Sequence, residues 1–115
     1  MDSYCKARLI AGLTQDKGGN DVVLMHIGKL VSFADFFVIC SADSARQVKA
    51  IVDHVISSTK NNKIKIWHSE GYEKSDWVLL DYGDIVVHVF TEEQRLFYEL
   101  ERLWSDLPLE HIEAA

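Results

Sequence analysis

The chain has only two cysteines, Cys5 and Cys40, and no CxxC spacing, so neither a metal knot nor a redox pair is indicated. Cys40 lies in an apolar run and is expected to act as a small core residue. No signal peptide is evident, and every apolar stretch is far shorter than the ~18 residues of a membrane span. A reducing cytoplasm fits. Five histidines (His26, His54, His68, His88 and His111) show neither HxxxH nor HExxH spacing. Nothing resembles a Ser-His-Asp or Cys-His site. No repeat, low-complexity tract or linker divides the 115 residues. Residues 1–107 are therefore expected to form one domain, with 108–115 a loose tail that has little to bury.

Positive charge is also scarce. Twelve Lys and Arg stand against eighteen Asp and Glu, a net charge of −6. Free nucleic acid is then a poor partner for the whole molecule, because neutralising phosphate needs a basic face, whereas a basic protein would be steered favourably. The distribution is uneven. Residues 46–65 hold Arg46, Lys49, Lys60, Lys63 and Lys65 against Asp53 alone, and residues 92–113 hold seven acids against Arg95 and Arg102. Both runs read as solvated helix faces, and the acidic one also suits a basic partner.

With 48% hydrophobic residues, a real core is available. Residues 4–15 read as a modest helix stopped by Gly18-Gly19. Val22–Ile27 and Phe36–Cys40 are nearly continuous apolar runs, the pattern of strands buried on both faces. Val48, Ile51, Val52, Val55 and Ile56 follow the 3.6-residue period of a helix over 44–60, opened by a Ser44/Gln47 capping box. Ile64–Trp67 alternates and predicts a strand. Trp77–Leu80 and Ile85–Phe90 predict two more, joined by a tight turn carrying Gly83. Thr91 with Gln94 caps a final helix that places Leu96, Phe97, Leu100, Leu103 and Trp104 on one face, with the single proline, Pro108, just beyond. The order implies one α/β (α+β) domain, a mixed sheet of about five strands covered by helices.

Two chemistries compete at the last strand pair. Asp81 and Asp84, with Asp35, are a carboxylate set at strand ends that could hold Mg²⁺ for nucleotidyl transfer. Against this, aspartates in turns commonly bond their own backbone, and the turn before Ser44 has no glycine to let the backbone approach a phosphate. The other reading is contact with a macromolecule. Trp and Tyr dominate binding hot spots, and Tyr82 stands between two aspartates in a turn, an unusual place for a core residue. Trp77 follows a polar run. His88 alternates with Val87 and Val89, so it faces away from them. Trp67, Phe97 and Trp104 read as core.

Five motifs run through the chain: Asp35-Phe36-Phe37-Val38-Ile39, Ser44-Ala45-Arg46-Gln47-Val48, Glu70-Gly71 before Trp77, Leu80-Asp81-Tyr82-Gly83-Asp84-Ile85-Val86-Val87-His88-Val89-Phe90, and Arg95-x-Phe97-Tyr98-x-Leu100-Glu101-x-Leu103-Trp104. In these the chain resembles the ribosomal silencing factor family, the RsfS or Iojap-like proteins, in a pattern that spans about residues 4–106. Two positions depart from it: Ser41-Ala42-Asp43 stands where members often carry Gly and Thr, and His26 where an acid is common. The resemblance implies a nucleotidyltransferase-like core without the catalytic apparatus, and no cofactor, metal or catalytic residue. It further implies binding to the large ribosomal subunit through large-subunit protein fourteen, steric hindrance of subunit joining, repression of translation, and a frequent homodimer. On this basis Trp77, Leu79, Asp81, Tyr82, Asp84 and His88 are expected to form or support the partner-binding surface. Arg95 and Tyr98 would buttress it, or pair with Glu99 and Glu101.

Overall fold

The computed structural model describes residues 1–98 and 107–113, the side chains of 96–98 excepted. The elements in chain order are α1 (Ser3–Asp16), β1 (Asn20–His26), β2 (Phe36–Ala42), α2 (Ala45–Asn61), β3 (His68–Glu70), β4 (Trp77–Asp81), β5 (Ile85–Thr91), α3 (Glu92–Tyr98) and β6 (Leu109–His111). The strands form one sheet in the order β3-β4-β5-β2-β1-β6. β2 and β5 run parallel, and every other neighbouring pair is antiparallel. The expected α/β architecture forms, with six strands rather than about five. Among the described residues no helix is long and apolar enough to cross a membrane.

Two expectations about strands need correction. Ile64–Trp67 alternates as predicted, with Ile64 and Ile66 packed on the core, but it lies outside the ladder. Pairing starts only where the Trp67 N–H donates to the Asp81 carbonyl at 2.8 Å, and His68–Glu70 is the strand. The tail is not loose over residues 109–111. There it is β6, paired with Val23–Met25 of β1. It is also held from α1: Tyr4 and Arg8 both bond Glu110, and the Gln15 amide donates to the Ile112 carbonyl at 3.1 Å. Backbone groups of an otherwise open strand edge bind this segment, so its own lack of apolar residues was a poor guide.

The sheet has two unlike faces. On one, Val38, Cys40, Val87, Val89, Val78 and Leu80 meet α1 and α2. From α2 come Val48, Ile51, Val52 and Val55, each fully buried, at about 1.5–3 kcal/mol per side chain. Burial pushes the Cys40 thiol up to about 12, as expected of an inert core cysteine. The opposite face carries Val23, Met25, Phe37, Ile39, Val86 and Phe90, with Trp77, Leu79, Val31 and Leu107 half-buried against them.

Helix α2 begins at Ser44, whose Oγ accepts from the Gln47 N–H at 3.2 Å. The reciprocal arm of the expected capping box goes elsewhere: the Gln47 Oε1 accepts from the Asp43 N–H at 3.4 Å. The helix ends in a Schellman arrangement, in which the Lys63 N–H bonds the Lys60 carbonyl at 3.0 Å and the Ile64 N–H bonds the Thr59 carbonyl at 2.8 Å. Lys63 occupies the left-handed position, with φ of 59°, that glycine usually takes.

Candidate interaction surface

Strand β4 alternates half-buried and buried: Trp77, Leu79 and Asp81 face away from the two main helices, while Val78 and Leu80 face toward them. The parity expected of Trp77, Leu79 and Asp81 is thus what the sheet imposes. Across the ladder, Trp77 lies opposite Phe90 and Leu79 opposite His88. The Trp77 indole stacks on Phe90 with centroids 5.0 Å apart, and Phe37 meets the His88 ring edge-on at 4.6 Å. The Trp77 Nε1–H donates to His88 Nδ1 at 3.1 Å. An indole N–H only donates, so Nδ1 is the acceptor and the neutral ring carries its proton on Nε2. That Nε2 is buried and has no hydrogen-bond partner among the described residues. Burial pushes the His88 pKa down to about 4, which keeps the ring uncharged at neutral pH.

The turn after β4 is built from its aspartates. Asp81 Oδ1 accepts from the Gly83 N–H at 2.7 Å, and Gly83 adopts a φ of +90°. This is an Asx turn, and only glycine takes that φ without strain. Asp84 reaches α1 instead, with Lys6 Nζ 3.1 and 3.2 Å from its two carboxylate oxygens. Its carbonyl accepts the Asp35 and Phe36 N–H groups, joining the turn to the start of β2. Both carboxylates are therefore engaged inside the chain. Among the described residues, no group of three or more His, Cys, Asp or Glu is placed to hold a metal.

Two of the expected contact residues lie inside. Tyr82 is 3% exposed, its ring packs in the helix-covered core, and its hydroxyl is 2.9 Å from Thr59 Oγ1 on α2. It anchors the turn to the helix and is not a free aromatic. His88, 4% exposed, supports Trp77 from beneath. Arg95 donates to the Asp21 carbonyl at 2.7 Å and to Ser41 Oγ at 3.3 Å, and Ser41 lies in register with Phe90, the ring on which Trp77 stacks. The Tyr98 side chain, Glu99, Glu101 and Trp104 lie outside the described residues, as does the Phe97 side chain.

The opposite error concerns Trp67, read as core but 70% exposed. Its indole lies over Gly83, where a Cβ would come within 2.8 Å of Cζ2. The glycine in the turn was the available signal, since it leaves a ring-sized seat beside the strand. Lys6 and Thr59, the partners of Asp84 and Tyr82, had no sequence signal because they come from distant helices.

Comparison with known proteins decides the family. The profile described as "Ribosomal silencing factor during starvation" matches residues 1–115. The chain belongs to the ribosomal silencing factor family. It is 40% identical over 106 residues to the ribosomal silencing factor RsfS of Halalkalibacterium halodurans, covering 92% of this chain and 91% of that protein. A crystal structure of a Chromobacterium violaceum protein superposes with a TM-score of 0.89 at 34% identity, covering 100% of this chain and 97% of the other. The mouse protein named mitochondrial assembly of ribosomal large subunit protein 1 is 30% identical over 103 residues, covering 84% of this chain and 44% of that longer protein. In this silencing-factor fold, the Trp77–Leu79–Asp81 row is the half-buried aromatic and acidic strip on the sheet face away from α1 and α2.

Proposed function

We propose that this chain is a non-enzymatic silencing factor that acts in the cytoplasm, binds the large ribosomal subunit through large-subunit protein fourteen, and blocks subunit joining by occupying volume the small subunit needs. Translation falls as a result. The observation that carries the reading is the Trp77–Leu79–Asp81 row: a half-buried indole held in place by His88, an aliphatic side chain beside it, and a carboxylate at the end. Family membership supports a ribosomal role, and the name of the mouse relative supports the large subunit in particular. The net charge of −6 favours approach to a basic ribosomal protein.

Trp77 and Leu79 supply apolar contact, and Asp81 meets a cation or a backbone donor with the carboxylate oxygen not used by the turn. Tyr82, Asp84 and His88 contribute by rigidity, which lowers the ordering cost of binding. A patch of ordinary size, on the order of 1,600 Å² in total, suffices for a specific complex. No bond is made or broken. The blocked fraction follows the factor's concentration relative to its dissociation constant. A homodimer that covers the same row would have to dissociate before docking.

The test is co-sedimentation with isolated subunits. Wild-type protein is expected to pellet with large and not with small subunits. Trp77→Ala combined with Asp81→Asn should lose at least about tenfold in affinity while its denaturation curve stays cooperative. Undiminished binding by that folded variant contradicts the surface.

A further inference from the structure

We propose a second contact site, for single-stranded RNA, formed by the end of α2 and the segment that follows it: Lys60, Lys63 and Lys65 around an apolar floor, with Trp67 as a stacking platform. The floor is Ile56, Ile64 and Ile66, and the groove they share with the three lysines has a volume of about 310 Å³. The RNA is that of whatever the protein docks to; on the reading above it is RNA of the large subunit, and in that respect this proposal rests on that reading.

Four observations converge. First, the charge is local and of one sign: between Asp53 and Glu70 there is no acidic residue, yet the molecule as a whole is acidic. All three lysines are exposed, and none forms an ion pair among the described residues. Asp53 accepts from the Tyr72 hydroxyl at 2.8 Å, and Asp81 accepts from the Gly83 N–H at 2.7 Å. Second, exposure alternates from Ile64 to Trp67, so Lys65 and Trp67 share the outward side. Third, Trp67 is seated on Gly83 yet 70% exposed, which offers an indole to a flat ring. Aromatic platforms beside cations that track a phosphate backbone are the common means of holding single strands. Fourth, Lys63 occupies a left-handed helix-ending position that glycine fills without strain. The lysine there places a charge at the groove rim although the backbone conformation favours glycine.

A second copy of the chain fits poorly, because a two-fold contact through this patch would set lysines against lysines. The net charge of −6 opposes capture of free RNA at a distance. The site therefore acts once another surface has brought the protein close.

Replacing Trp67 by the photoreactive p-azidophenylalanine and irradiating the protein bound to isolated large subunits tests the assignment. The expected result is an adduct that ribonuclease removes and protease leaves attached to RNA fragments. In parallel, the triple variant Lys60→Ala, Lys63→Ala, Lys65→Ala should flatten the salt dependence of binding by a log–log slope of about 2, three phosphates at roughly 0.7 each. Lys63→Gly, which keeps the helix end intact, should show about a third of that change. An adduct to a ribosomal protein overturns the proposal, as does an adduct to a second copy. Co-sedimentation with no adduct and an unchanged salt slope overturns this proposal alone. Failure of the wild-type protein to co-sediment overturns both readings together.

Discussion

His88 accepts the Trp77 indole proton on one ring nitrogen and keeps its own proton on the other, buried against Phe37 and Phe90. An imidazole in that setting resists charging, and its pKa is held at about 4 against an ordinary 6.5. Between those values the unfolded chain takes up a proton that the folded chain refuses. The contribution is therefore fully present above the ordinary pKa and is lost as pH falls toward the folded one, to the extent of about 3 kcal/mol. Urea midpoints taken from about pH 7 to about pH 4.5 should fall more steeply for the wild type than for His88→Leu. Parallel curves contradict the buried neutral ring. Tyr82 gives a second check at this scale. Tyr82→Phe removes only the hydroxyl bond to Thr59, which keeps its bonds to the Val55 and Ile56 carbonyls, so a loss of about 1 kcal/mol is expected. Tyr82→Ala opens the core and should cost about 3–5 kcal/mol. Chemical denaturation separates the two, and equal costs would place the ring outside the core.

At the scale of elements, the periodicity of residues 45–61 and the apolar runs of β1, β2 and β5 were legible because burial writes directly into the sequence. The parity of Trp77, Leu79 and Asp81 was legible for the same reason. What was not legible depended on long-range partners. Tyr82 looked exposed between two turn aspartates, but the turn folds back onto α2 and Thr59 receives its hydroxyl. Residues 109–111 looked idle, but the edge of β1 was open to them. Trp67 looked like core because an indole usually is, yet the core beside it is already filled by Ile64 and Ile66. Two substitutions probe the local geometry. Lys63→Gly relieves a left-handed lysine at the end of α2 and should raise stability by about 0.5–1 kcal/mol in thermal or chemical melts. Gly83→Ala forces a side chain into φ of +90° and against the Trp67 ring. It should lower stability by about 1–3 kcal/mol and shift the Trp67 fluorescence, since the indole must leave its seat. A stable variant with unchanged emission contradicts that packing.

For the whole molecule, the fold separates its tasks by face. One side of the sheet is closed by α1 and α2 and supplies most of the burial, while the other carries the Trp77 row over a satellite core. The Lys6–Asp84 pair and the Tyr82–Thr59 bond tie the β4–β5 turn to the two helices, so the row is presented on a fixed frame. On the function proposed above, the effect on ribosomes depends on occupancy. The most direct measurement is sedimentation of the purified protein with separated large and small ribosomal subunits, wild type beside the folded Trp77→Ala, Asp81→Asn variant. The wild type is expected with the large subunit only, and the variant weakened by at least about tenfold. Equal binding of both proteins, or of the wild type to both subunits, would contradict docking through the Trp77 row.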